Sequence, residues 1–93
     1  NMNQVQNLEH AINLARCMIT SATLWETDQA KGKELLGLLK APKIDLSIIQ
    51  THADYFRRKS MVPRDANYFR DYEEGIRMYK DMANALNQLL REL

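Results

Sequence analysis

An unbroken apolar repeat in the last third of the chain constrains the fold more than any other feature. Side chains that are three and four residues apart lie on one face of an α-helix. Pro63 interrupts any preceding helix, and Asp65 has a side chain suited to capping the next one. We therefore predict a helix from Asp65 to the C-terminus. The apolar positions alternate at intervals of three and four residues: Phe69, Tyr72, Ile76, Tyr79, Ala83, Leu86, Leu90 and Leu93.

The first third of the chain carries a similar apolar repeat, which predicts a helix from Asn3 to Leu24. Its face includes several alanines, whose small side chains allow another helix to approach closely. The two long repeats have similar spacing, so we expect the two helices to be neighbours. The repeat consists of Val5, Leu8, Ile12, Ala15, Ile19 and Ala22.

Two shorter apolar segments occupy the middle of the chain. Thr27 or Asp28 can cap the first, which contains four leucines between residues 35 and 39. Gly32 and Gly37 weaken this helix by about 1 kcal/mol each relative to alanine, and Pro42 ends it. The second segment ends near residue 60 and has Ile44, Ile48, Ile49, Ala53 and Phe56 at helical spacing.

Turn-forming residues are scarce, with three glycines and two prolines among 93 residues. Short strands joined by turns need more of them, so the composition favours helices. We predict a single all-α domain over residues 1–93. Its architecture is a small antiparallel bundle of four helices in which the second is short. A three-helix bundle with a structured loop is the alternative.

Charge and cysteine content limit the classes of function. The formal net charge is +1, so no global field draws the chain to nucleic acid or to a membrane surface. Cys17 is the only cysteine, which excludes an intrachain disulfide and favours the cytoplasm. We expect its thiol to be buried and inert, and Trp25 to fill one end of the core.

Residues that would indicate catalysis or cofactor binding do not form a recognisable motif. His10 and His52 lack the spacing of helical metal ligands, and we expect both to be partly exposed on helices. The glycines are too scattered to form a phosphate-binding loop. The sequence therefore predicts a protein that is not an enzyme and has no metal or cofactor.

Four cations lie around the predicted end of the third helix: Arg57, Arg58, Lys59 and Arg64. Cations at a helix C-terminus complement the helix dipole, and this interpretation is favoured. The cluster also qualifies as a patch for an anionic partner. An acidic protein is the second interpretation, and nucleic acid bound through its phosphates is the third.

Four leucines near the C-terminus suggest a surface for another protein. The short middle helices are predicted to cover only part of the long last helix, so the first helix, a second subunit or another protein must cover these leucines. We predict a non-enzymatic protein–protein interaction module, such as a small adaptor, chaperone, inhibitor or self-associating bundle, whose partner is another protein or a second copy. A nucleic-acid-binding regulator that uses the basic cluster is the alternative, and no membrane association is predicted. The predicted contact residues are Leu86, Leu89, Leu90 and Leu93, with Tyr72 and Tyr79 as anchors.

Overall fold

Four helices form the part of the chain that the structure, a computed structural model, describes, namely residues 4–64 and 71–93. They are α1 (Gln4–Thr20), α2 (Glu26–Leu39), α3 (Leu46–Lys59) and α4 (Tyr72–Glu92). The predicted four-helix, all-α bundle is confirmed, and the three-helix alternative is wrong. The second helix is short, with 14 residues, although α3 has the same length.

The observed helix ends differ from the predicted ones where the capping residue differs. Helix α4 begins after Asp71, whose side chain accepts a hydrogen bond from the Glu74 amide. Asp65 and Phe69 lie outside the described residues. Helix α2 begins after Trp25, so Thr27 and Asp28 lie in its first turn and do not cap it. Helix α1 ends at Thr20, earlier than predicted, because residues 21–25 turn the chain toward α2.

The helices pack in a closed ring in the order α1, α2, α3, α4. Helix α4 packs closely against α1 and α3, α1 also packs closely against α2, and the contact between α2 and α3 closes the ring more loosely. Opposed residues show that neighbours are antiparallel: the Ser21 hydroxyl lies 3.5 Å from Met78 Sδ, and the Tyr72 hydroxyl donates to the Val62 carbonyl. The starts of α1 and α3 and the ends of α2 and α4 therefore share one end of the bundle.

The core is formed by the inward faces of all four helices. Phe56 and Tyr79 are its largest side chains, and their ring centroids are 5.3 Å apart. Gly32 of α2 lies directly against α1, where a Cβ added to it would come within 2.9 Å of Met18 Cβ. This contact explains how α2, whose apolar face is weak, is held on the bundle. The other buried apolar residues are Ala11, Ala15, Met18, Leu24, Leu35, Leu39, Ile49, Ala53, Met82, Ala83, Ala85, Leu86 and Leu89.

Three burial predictions are wrong. Trp25 does not fill the core, since it is 38% exposed and Leu24 is buried beside it. Cys17 is exposed, because it follows Ala15 by two positions and so points away from the helix face that Ala15 places in the core. His52 is buried, with only 5% of its surface exposed. His10 is exposed on α1.

The start of α3 depends on the ionised side chain of Asp45. Its carboxylate accepts hydrogen bonds from the Ser47 and Ile48 amides and from the Ser47 hydroxyl. The bond from the Ile48 amide is the main reason that the pKa of Asp45 lies below its ordinary value of 3.8, and the bond from the Ser47 hydroxyl adds to it. Since the folded-state pKa is lowered, the carboxylate stabilises the fold fully above the ordinary value and loses this effect as the pH falls through the lowered one.

We expect Asp45→Asn to remove this part of the acid sensitivity while keeping a capping side chain. Thermal unfolding at pH 7 and at several pH values below 4 measures how the melting temperature depends on pH. The melting temperatures of the wild type and Asp45→Asn should converge as the pH falls. Parallel curves would show that the charge of Asp45 does not contribute to stability.

Candidate functional site

The four C-terminal leucines lie in different environments. Leu86 and Leu89 are completely buried, and Leu90 packs partly buried against the same core. Only Leu93 is clearly exposed, at 44%. For Leu86 and Leu89 the alternative of a cover within the chain is the right one, because α1 and α3 pack on either side of α4, and their predicted role as partner contacts is wrong. These two leucines cannot contact a partner while the bundle is folded.

The two predicted anchor tyrosines make contacts within the chain. Tyr79 is completely buried, and its ring lies 6.4 Å from that of Tyr55 between centroids. Tyr72 is partly buried, and its hydroxyl donates to the Val62 carbonyl at 2.6 Å. Tyr72 therefore ties the chain after α3 to the first turn of α4.

The basic cluster is divided by its contacts within the chain. Lys59 Nζ lies 3.3 Å from Asp28 Oδ1, and its side chain is only 14% exposed. Arg64 forms an ion pair with Glu73 and stacks on Tyr72, with its guanidinium carbon 4.8 Å from the ring centroid. Arg57 and Arg58 remain exposed on the last turn of α3. The structure therefore leaves three exposed arginines, one of which pairs with Glu73, where the sequence suggested a patch of four cations.

A row of polar contacts joins α2 to α3, and we call it the polar seam. Lys59 and the Tyr55 hydroxyl both approach the buried carboxylate of Asp28, the hydroxyl at 3.5 Å. Lys31 Nζ lies 4.6 Å from the centroid of the Tyr55 ring, a cation–π distance. Sequence reasoning missed this seam, although Asp28 and Lys31 on α2 and Tyr55 and Lys59 on α3 are at helical spacing. The seam consists of Asp28, Lys31, Glu34, His52, Tyr55 and Lys59.

His52 occupies the middle of the polar seam. Its Nδ1 lies 3.0 Å from the Ile48 carbonyl, and because a carbonyl oxygen only accepts, this nitrogen carries a proton. Its Nε2 lies 3.5 Å from Glu34 Oε1, and the Glu34 side chain is 57% exposed. His52 thus lies between α3 and the more exposed side of α2, and its Nε2 has no hydrogen bond among the described residues.

Tyr79 borders the polar seam from α4. Burial, followed by the negative charge of Asp28 and a hydrogen bond to it, raises the pKa of the Tyr79 hydroxyl. Its phenol therefore stays protonated at neutral pH. The Lys59 ammonium lies 5.6 Å from the centroid of the Tyr79 ring, which is a cation–π distance. The same ammonium therefore interacts with both the Asp28 carboxylate and the Tyr79 ring. This arrangement satisfies a buried carboxylate and fixes α2 against α3 and α4.

Exposed apolar side chains gather at the end of the bundle where α1 and α3 begin and α4 ends. Val5 is 63% exposed, Leu46 and Leu93 are each 44% exposed, and Ile48 is 38% exposed. We call these four residues the apolar end. At the opposite end, Met61 is 69% exposed on the chain that leaves α3. Of the predicted contact residues, only Leu93 belongs to the apolar end. Val5 and Ile48 were predicted as members of the apolar repeats, but they lie in the first turns of α1 and α3 and are exposed, and Leu46 was not identified.

The chain matches no protein-family model, and no curated protein or solved structure is similar to it. None of the helices in residues 4–64 and 71–93 is both long and apolar enough to cross a membrane. In the same ranges, no three His, Cys, Asp or Glu residues come together as a group that could hold a metal ion.

Proposed function

We propose that this protein is a protein–protein interaction module that pairs with a second copy through its apolar end. The observation that carries this proposal is the exposure of Val5, Leu46, Ile48 and Leu93 at one end of the bundle. Full burial of such a side chain contributes about 1.5–3 kcal/mol. Contact between two apolar ends removes this surface from water without disturbing the core.

The charges at the apolar end favour a second copy as the partner. A cleft beside it is lined by Lys43, Ile44, Asp45 and Leu46, which places one cation and one anion around two apolar side chains. In a two-fold symmetric contact each surface meets itself in the reverse sense. Lys43 of each copy is then available to pair with Asp45 of the other. A net charge of +1 adds little repulsion between copies.

The self-association is tested with charged substitutions at the two ends of the bundle. Leu46→Asp places a carboxylate in the proposed contact, and we expect it to weaken association about tenfold or more. An acidic residue suits the first turn of α3, so the monomer should stay folded. Light scattering after size-exclusion chromatography, over a hundredfold range of concentration, measures the mass.

Met61→Asp is the matched control, since Met61 is the more exposed residue and lies at the opposite end. It should associate like the wild type. The proposal is wrong if both variants associate equally, or if the wild type keeps the monomer mass of 10.9 kDa throughout. Nucleic-acid binding by the basic cluster and a cytoplasmic location stay predictions from the sequence.

A further inference from the structure

A polar cleft runs along the outer side of α4 and has no role in the contact proposed above. Its volume is about 550 Å³. Helix α4 supplies one wall, α1 contributes Asn7 and His10, and Arg57 reaches in from α3. Four primary amides and two guanidinium groups therefore surround one cleft. The residues of α4 that line it are Asp81, Asn84, Ala85, Asn87, Gln88 and Arg91.

Asn7 gives the cleft a buried donor that has no acceptor. The residue is 3% exposed, and its Nδ2 has no hydrogen-bond partner among the described residues. A buried donor without an acceptor destabilises a fold, so such a group calls for an explanation. Asn7 lines the cleft, so a rotation of its side chain presents this nitrogen to a ligand that carries an acceptor.

The charges around the cleft indicate the chemistry of the ligand. Arg57 is exposed and forms no ion pair in the described part of the chain. Arg91 is held toward the cleft by Gln88, whose Oε1 accepts from its guanidinium. Two guanidinium groups favour a carboxylate, which they can bind through paired hydrogen bonds. Asp81 and the amide oxygens accept hydrogen bonds, as the N–H groups of a peptide require.

We propose that this cleft binds an acidic peptide segment. In this arrangement Arg57 and Arg91 bind glutamate or aspartate carboxylates, the Asn7 amide donates to an oxygen of the peptide, and Asp81 accepts from its backbone. The site lies on α1, α3 and α4, beside the apolar end, but it includes none of the four residues of that end. Peptide binding should therefore persist in the Leu46→Asp variant, which separates this proposal from self-association.

The probe is an acetylated and amidated hexapeptide in which glutamate alternates with alanine. We expect it to shift the side-chain amide signals of Asn7, Asn84, Asn87 and Gln88 in ¹⁵N-labelled protein, in a saturable way. Arg57→Gln should raise the Kd about fivefold, since one charge-assisted contact is lost. Arg58→Gln is the matched control, because Arg58 is the next residue and does not line the cleft; its Kd should change less than about twofold.

Asn7→Ala adds a second, independent readout. It should weaken peptide binding and also raise the melting temperature by about 5 °C, because it removes an unsatisfied buried donor. The proposal is overturned if the matching glutamine–alanine peptide binds as tightly, or if Arg58→Gln is as damaging as Arg57→Gln. Equal binding of succinate would assign the site to small carboxylates, and an absence of shifts with any probe would show that the cleft binds neither.

Discussion

Lys59→Met is expected to reduce the free energy of unfolding by about 3–5 kcal/mol. The side chains of Asp28 and Lys59 are 4% and 14% exposed, so the substitution leaves a buried carboxylate without its cation. The hydroxyls of Tyr55 and Tyr79 both approach this carboxylate, but they are neutral and cannot replace the positive charge of Lys59. Urea unfolding followed by circular dichroism measures the loss.

Two further variants separate the buried pair from ordinary surface charges. Arg77→Gln breaks an ion pair with Glu74 in which both side chains are substantially exposed, and it should cost less than about 1 kcal/mol. Combining Asp28→Leu with Lys59→Met removes both charges, so the double variant should recover most of the loss. A loss for Lys59→Met no larger than that for Arg77→Gln would contradict the buried ion pair.

Gly32→Ala is the second substitution with a large expected effect. Alanine is better than glycine in a helix interior by about 1 kcal/mol, yet we expect a net loss of about 1–3 kcal/mol from overpacking. The new Cβ would lie 2.9 Å from Met18 Cβ and 3.3 Å from the Ala15 carbonyl oxygen. Helices α1 and α2 must separate to accept it.

Gly37→Ala is the matched control in the same helix. Apart from the neighbouring backbone of its own helix, no atom lies within 4 Å of the position that its Cβ would occupy. The substitution should therefore stabilise the protein by about 0.5–1 kcal/mol through helix propensity alone. Opposite signs for the two glycines would support the close approach of α1 and α2, whereas two stabilising substitutions would rule it out.

The helix count and most of the core could be predicted from the spacing of apolar residues. Residues such as Ala15, Ile49, Tyr79 and Leu86 follow helical spacing, and all of them are buried. Helix ends were less predictable, because several residues near an end can serve as a cap. Asp71 caps α4, although Asp65, which lies outside the described residues, has the same side chain.

The candidate site could be predicted only in part, because spacing within one helix does not show which helix covers its face. The spacing of Leu86 and Leu89 did not show that α1 and α3, which pack on either side of α4, bury both side chains. Lys59 looked like part of an exposed patch until α2 brought Asp28 beside it. The residues of the apolar end and of the polar cleft come from different helices. They are far apart in the sequence, so no local pattern brings them together.

The distance between two Cys17 side chains tests most directly whether two copies meet through their apolar ends. Cys17 is exposed and is the only cysteine, so a nitroxide label attaches at one position without any substitution. From Val5 to Cys17, α1 extends about 18 Å, so this dimer separates the labels by about 35 Å or more. Double electron–electron resonance at a concentration that favours the dimer should give a distance in that range. A label separation below about 25 Å, or no dipolar coupling between copies, would contradict the proposed contact.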